Sequence, residues 1–481
     1  MGYSDIGCYG GEICTPNLDR LAAGGLRFTQ FYNNSICVPT RASLLTGLYS
    51  QQVGVHYNTP TVMKNCVTLA EVLRSAGYRT LMTGKWHAEQ IPCQRGFDRY
   101  FGLADGCCNY FNPGPRRAGE GEPGRKLTSF GYPRRWAIDD KVYLPYKPAD
   151  KNFYTTDAFT DYAIDYLQQY GREERPFFLY VAYTAPHYPL HAWGEDITRY
   201  RGKYMVGWDK LRQQRFERMV EMGLVDKRWG LSPRDEEVPK WDSVEDKDSW
   251  DLKMAVYAAM IDRMDRNIGR IISKIRQLGK EDNTLVLFLS DNGGCAGEAN
   301  YTPDIAPGPV ESYRSVDGPW ANASNTPFRK FKVWDHEGGI STPLIAYWPR
   351  VIKNGGAITG QVGHIIDIMA TFTDISGAEY PALFNGRKIP PPEGKSLLPI
   401  FEGRERMGNE ALYWQIAKDR HRAVRKGKWK LVTTAPNVPW KLYDMEDDRT
   451  ELHDLAEQQP DKVKELSGLY DGWLKRCGVG P

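Results

Sequence analysis

The stretch Thr284-Leu285-Val286-Leu287-Phe288-Leu289-Ser290-Asp291-Asn292-Gly293-Gly294 runs through five consecutive apolar residues and then turns polar at once. A continuous apolar run of this length, without polar alternation, reads as a strand covered on both faces. The preceding residues, from about 250 to 278, place Ile261, Met264, Ile268, Ile271, Ile275 and Leu278 on one face of a helix. A helix feeding a buried strand is the repeating unit of an α/β protein. The expected fold is therefore α/β, a large mixed and mostly parallel sheet sandwiched by helices.

The same alternation recurs upstream. Thr15-Pro16-Asn17-Leu18 opens a short helix, and residues 25–33 follow as an aromatic-rich strand. Thr68-Leu69-Ala70-Glu71 has capping-box spacing and starts a helix that Gly77 ends. Residues 79–83 then form a strand that runs into Gly84-Lys85-Trp86-His87. Residues 156–170 read as a helix, and 177–183 (FFLYVAY) as a buried strand that ends at Ala185-Pro186-His187. Ligands of such sheets bind at the carboxyl ends of the strands. Lys85 with His87, His187, and Asp291 with Asn292 all fall at those ends, which marks them as candidate site residues.

Residues 112–150, rich in Pro, Gly and Arg, and residues 193–248, charged with scattered Trp, break the alternation and read as insertions over the active face. The first contains the basic pairs Arg116-Arg117, Arg125-Lys126 and Arg134-Arg135, which could meet a polyanionic glycan. The last 80 or so residues change character. Residues 422–432 and 440–443 read as short antiparallel strands, and about 460 to 476 as a helix. A catalytic domain over 1–400 and a small α+β subdomain over 401–481 are expected.

Composition narrows the partners. Lys and Arg number 63 against 60 Asp and Glu, a net charge of +3 that leaves no electrostatic footprint for nucleic acid. No apolar run reaches the roughly 20 residues of a membrane-spanning helix. The nine cysteines are odd in number and contain no CxxC pair, so neither a disulfide framework nor a zinc ribbon is indicated.

The sharpest motif is Cys37-Val38-Pro39-Thr40-Arg41-Ala42-Ser43-Leu44-Leu45-Thr46-Gly47. Cys-x-Pro-x-Arg followed in register by Leu-Leu-Thr-Gly resembles the signature of type I, formylglycine-dependent sulfatases, the arylsulfatase-like branch of the alkaline-phosphatase superfamily. The resemblance extends from Gly2-Tyr3-Ser4-Asp5 to Lys441-Leu442-Tyr443-Asp444. It implies that Cys37 is oxidised by a formylglycine-generating enzyme to Cα-formylglycine. The hydrated aldehyde would then attack sulfur, form a covalent sulfate and release it by re-forming the aldehyde. Arg41 would hold the diol, Lys85 would neutralise sulfate oxygens, and His87 would be the base that collapses the sulfate adduct. His187 and Lys332 would contact sulfate and protonate or stabilise the leaving oxygen. His191 fits either a supporting role or simple loop packing.

The resemblance also implies a Ca²⁺ site, with Mg²⁺ as the substitute, that draws on Asp291, Asn292 and the modified Cys37. In the family two adjacent aspartates at the end of a first strand complete that site. They stand just before a segment like Met1-Gly2-Tyr3-Ser4-Asp5, so an apolar strand ending in Asp-Asp, preceded by a signal peptide, is expected upstream, with export of the enzyme. The implied substrates are aryl sulfates or sulfated glycans. A phosphonate or phosphodiester hydrolase on the same scaffold is the alternative activity, and a binder or inactive fragment without the aspartate pair is the non-catalytic one.

Overall fold

The computed structural model describes every residue except 58, 60, 125–133, 417–419, 480 and 481; Arg125 and Lys126 of the basic pairs therefore lie outside the described residues. Two of its helices, Leu69–Ser75 and Lys247–Gln277, begin at a residue whose side chain caps them. Thr68 Oγ1 accepts from the Glu71 amide at 3.2 Å, and the Glu71 carboxylate accepts from the Thr68 amide at 2.6 Å. The helix Leu69–Ser75 thus opens with its orphan donors satisfied. Gly77, at φ +86°, turns the chain in the left-handed region that a side chain would strain, and a strand follows directly. The long helix Lys247–Gln277 spans 31 residues, about 46 Å, and buries Ile261, Met264, Ile271 and Ile275 on the expected face.

Ten strands build the central layer: β1 (Leu26–Tyr32), β2 (Arg79–Gly84), β3 (Arg99–Leu103), β4 (Trp136–Ile138), β5 (Lys141–Tyr143), β6 (Phe177–Ala182), β7 (Val286–Leu289), β8 (Ser341–Tyr347), β9 (Ala357–Thr359) and β10 (Gly363–His364). They pair in the orders β10-β1-β8-β7, with β9 also on β1, and β5-β4-β3-β2-β6. The layer is mixed, as expected, but it consists of two five-stranded sheets and is not mostly parallel. Its parallel and antiparallel pairings are equal in number, because β8 enters antiparallel between β1 and β7 and the β4–β5 hairpin extends the far edge.

Between the two halves of this layer lies a cavity of about 650 Å³. Among the described strands β6 pairs only with β2, and β7 only with β8, so each turns an unpaired edge toward it. Ile268, Ile271 and Ile272 of the long helix line one wall, and Leu44, Leu73 and Phe372 line the other. The apolar runs of β6 and β7 are consequently half-buried, not doubly covered as their sequences suggest.

The opening loop is anchored by a buried ion pair: Asp5 accepts from Arg215 Nη1 at 2.9 Å and from Tyr257 Oη at 2.8 Å. Arg215 belongs to the helix Gly207–Glu221 within the 193–248 stretch, where Trp208 packs edge-on against Trp241, Trp250 and Trp320. The strands Leu412–Gln415, Arg422–Lys426, Trp429–Thr433 and Lys441–Asp444 form an antiparallel sheet. It packs on the helix Pro460–Arg476 through Trp414, Leu466, Tyr470 and Trp473. Among the described residues no helix is long and apolar enough to cross a membrane.

Candidate active site

Strand β1 delivers the chain to Cys37, the first residue of the helix Cys37–Thr46, where it is only 2% exposed. A helix start presents free N–H groups and the positive end of the dipole, a setting suited to an anionic oxygen. One turn on, Arg41 faces the same space. Its guanidinium donates to the Lys85 carbonyl at 2.7 Å, to Tyr180 Oη at 3.3 Å and to Asp291 Oδ2 at 2.9 Å. The fork is therefore fixed in one orientation by three partners.

Parallel pairing of β2 with β6 brings the next groups in. Gly84 stands opposite Ala182, and the Lys85 amide donates to the Ala182 carbonyl at 2.7 Å, so both strands release their chains at one level. Lys85 is buried, and that burial, together with the Arg41 charge, lowers its pKa. His87 sits at φ +68°, a backbone setting that a non-glycine residue adopts under constraint. Its amide is pinned to the Ala104 carbonyl at 3.0 Å. Burial, then the charges of Lys85, Arg41 and Lys332, push its pKa well below the ordinary histidine value, so the ring is neutral. Its Nδ1 is buried without a hydrogen-bond partner. Gly106 lies so close that a Cβ there would stand 2.7 Å from His87 Nε2.

His187 follows β6. Its Nδ1 lies 2.8 Å from the Tyr188 carbonyl and its Nε2 lies 3.3 Å from Lys332 Nζ. A carbonyl only accepts, so Nδ1 carries the proton and Nε2 accepts from the ammonium. Burial and Lys332 hold the His187 pKa well below its usual value. Lys332 is held above its own: burial opposes its charge, but the neighbouring Cys295, Cys37, Tyr188 and Asp291 outweigh it. Its amide is fixed to the Gly294 carbonyl at 2.9 Å. Three cations, Arg41, Lys85 and Lys332, thus converge with two neutral imidazoles around Cys37. The one carboxylate among them is Asp291, whose pKa they hold well below the usual range although burial works the other way. An excess of positive charge in a partly enclosed cavity suits an anionic ester.

Asp291 and Asn292 follow β7, with Gly293 packed so tightly that a Cβ would meet the Gly338 carbonyl at 1.8 Å. Asn292 Oδ1 is buried with no hydrogen-bond partner, as an amide oxygen that coordinates a cation would be. The two residues offer hard oxygen donors of the kind that Ca²⁺ or Mg²⁺ takes. Their number falls short of the six or more oxygens of a tight Ca²⁺ site. Among the described residues no group of three or more His, Cys, Asp or Glu side chains could hold a metal.

The structure therefore brings all eight sequence-predicted residues to one end of the central layer. His191 stands apart from them. It is fully buried, accepts from the Tyr110 amide at 3.2 Å and donates to the Ser312 carbonyl at 2.7 Å, so it ties two loops together. Tyr180, which steadies Arg41, was not anticipated, and its place in the period of β6 is the one signal the sequence offered. Cys295 and Tyr188 also line the cavity beside His187, with no motif to mark them.

Residues 1–378 match the family model Sulfatase, and residues 328–468 match the model for the C-terminal part of N-sulphoglucosamine sulphohydrolase. An uncharacterized sulfatase of Schizosaccharomyces pombe is 33% identical over 100% of this chain and 92% of its own length. An arylsulfatase of Klebsiella aerogenes is 32% identical over 84% of this chain and 91% of its own. The crystal structure of Ps i-CgsB in complex with k-i-k-neocarrahexaose is similar with a TM-score of 0.70 at 25% identity, covering 98% of this chain and 90% of that one.

Proposed function

The chain belongs to the sulfatase family and is a sulfuric ester hydrolase, and we propose that it cleaves carbohydrate sulfates by covalent catalysis at position 37. The observation that carries this reading is the placement of Cys37 at a helix start among Arg41, Lys85 and Lys332, with the neutral imidazoles of His87 and His187 beside the same lysines. Oxidised to Cα-formylglycine and hydrated, position 37 supplies a geminal diol, one hydroxyl of which passes its proton to the Asp291 carboxylate as it attacks sulfur and displaces the leaving oxygen, while the other later expels sulfate as the aldehyde re-forms. Arg41 orients that diol through a guanidinium already fixed on Lys85 and Asp291. Lys85 and Lys332 bind the sulfate oxygens and offset the charge that grows on them in the transition state. The leaving alkoxide receives its proton from the Lys332–His187 pair, in which the ammonium donates to Nε2 across 3.3 Å. His87, neutral and poorly solvated, takes the proton of the remaining hydroxyl as the C–O bond to sulfate breaks.

Asp291 and Asn292 would be two of the oxygen ligands of Ca²⁺, or of Mg²⁺ in its place, and such an ion would withdraw charge from the sulfate. The cavity between β6 and β7 reaches Asp291 and Asn292. Maturation by a formylglycine-generating enzyme and export from the cytosol belong to the same reading. The carbohydrate substrate is supported by the sulphoglucosamine sulphohydrolase match and by the oligosaccharide held by the similar solved enzyme.

The test is mass spectrometry of residue 37 combined with rates on an aryl sulfate, a sulfated sugar and a phosphonate ester in Ca²⁺ buffer. The expected result is an aldehyde at position 37, sulfate-ester turnover, and loss of turnover by at least 10³-fold in Cys37→Ala. An unmodified thiol in active protein, or a clear phosphonate preference, overturns the reading.

A further inference from the structure

The turn that carries Lys332 is tied at two points to the residues just ahead of Cys37. Ser35 Oγ donates to Asp335 Oδ1 at 2.6 Å, and the Val333 amide donates to the Ser35 carbonyl at 2.8 Å. Both ties meet on one residue, so they fix the direction of the turn as well as its distance. Ser35 in turn moves with the helix Cys37–Thr46, because its neighbour Asn34 donates from Nδ2 to the Pro39 carbonyl at 3.1 Å and to Ser43 Oγ at 2.8 Å. Val333 also packs against the apolar cluster that holds Ile36, Cys37 and Val38.

Two features of this clasp work against stability. Val333 sits at φ +84°, a setting that a β-branched residue adopts only when its surroundings impose it. Asp335 is fully buried, and burial pushes its pKa up to about 7, although the Ser35 hydroxyl and the charge of Lys430 favour the carboxylate. A strained residue and a poorly hydrated carboxyl within three positions of Lys332 mark a place where geometry is kept although stability is lost.

That geometry has a chemical use. Displacement at sulfur sets the attacking oxygen of residue 37 and the leaving oxygen beside Lys332 on opposite sides of one atom. A misplacement of about 1 Å in such an arrangement can cost roughly 10²-fold in rate. We propose that Ser35 and Asp335 are positioning residues, a clasp that holds Lys332 at a fixed distance from residue 37 so that the leaving oxygen is served at the moment of attack. This inference rests on the reading of Lys332 given above.

The test is a series of aryl sulfates, from nitrophenyl through phenyl to methoxyphenyl, turned over by the matured enzyme in Ca²⁺ buffer. The poorer the leaving group, the more it depends on Lys332. Ser35→Ala and Asp335→Ala are expected to lose about tenfold in kcat on phenyl sulfate and less than about threefold on nitrophenyl sulfate, with KM little changed. Ser35→Ala removes only a hydroxyl and decides the kinetic result by itself if Asp335→Ala does not fold. Denaturant unfolding of the foldable single and double variants gives a second readout, with non-additive losses expected because the partners touch. No loss, a loss equal across the series, or additive losses in unfolding overturn the clasp; if Lys332→Met still steepens the series, the reading of Lys332 stands. A series left unchanged in slope by Lys332→Met overturns both.

Discussion

Lys332 and His187 make one functional unit, and the worth of that unit depends on the leaving group. A nitrophenolate departs without help, whereas a sugar alkoxide needs a proton or a close positive charge. Lys332→Met is therefore expected to cost about 10²–10⁴-fold in kcat on a sulfated sugar and much less on nitrophenyl sulfate. A parallel fall on both would assign Lys332 to sulfate binding alone. At this scale the sequence was highly legible, since Cys37 and Arg41 stand in one motif at a helix start and Lys85, His87, Asp291 and Asn292 stand in short motifs at strand ends. The tautomer of His187 was not legible, because it is set by the Tyr188 carbonyl on one side and by a lysine 145 positions away on the other. Nor was the role of Tyr180, which looks in sequence like any other half-buried strand residue.

The segment that carries Lys332 is held by the C-terminal sheet through a cluster of fully buried charges. Glu337 accepts from Lys430 Nζ at 2.9 Å, from Arg449 Nη2 at 2.9 Å and from Tyr32 Oη at 2.8 Å. Lys430 also pairs with Glu451 at 2.8 Å, and Glu451 accepts from the Glu337 amide at 3.0 Å. From the same segment, Arg329 donates to the Glu451 carbonyl at 2.8 Å, and the Val333 amide donates to the Ser35 carbonyl at 2.8 Å, two residues before Cys37. Two carboxylates and two cations balance here, so deleting one cation leaves an uncompensated buried charge. Lys430→Met is expected to destabilise the fold by about 3–5 kcal/mol, measured by denaturant unfolding. Its surviving activity should fall more on sulfated sugars than on nitrophenyl sulfate, because the displaced group is Lys332; an unchanged ratio would make the cluster purely structural. The strands and helix of this region were readable from their periodicity. Their service to the active site was not, because the partners lie about 90 to 110 positions apart and share no pattern.

At the scale of the molecule, buried histidines set the acid limit. His191 and His364 are fully buried, and burial lowers both pKa values to about 4. Below the unfolded value of about 6.5 the unfolded chain binds protons that the folded chain refuses, so stability falls as pH drops from about 6.5 toward 4. Each group contributes up to about 1.4 kcal/mol per pH unit in that window. Asp335, buried and pushed up to about 7, acts in the opposite direction between about 4 and 7 and offsets one of them. Thermal melts should therefore show Tm falling below pH 6.5, and His191→Asn should flatten the slope; a flat Tm from pH 7 to 4.5 would contradict this account. The sheet order itself could not be read from the strands, since nothing in β6 or β7 says which neighbour each one takes. The divided central layer has a consequence for how this protein behaves in company. β6 and β7 turn two open rows of N–H and C=O groups toward each other in the middle of the molecule, and such rows pair with any extended chain that reaches them. In most sheets that hazard sits at the rim, where charges and bulges can guard it. Here it is interior, between the wall of Ile268, Ile271 and Ile272 and the wall of Leu44, Leu73 and Phe372, so it is open only to an extended segment that enters between those two layers.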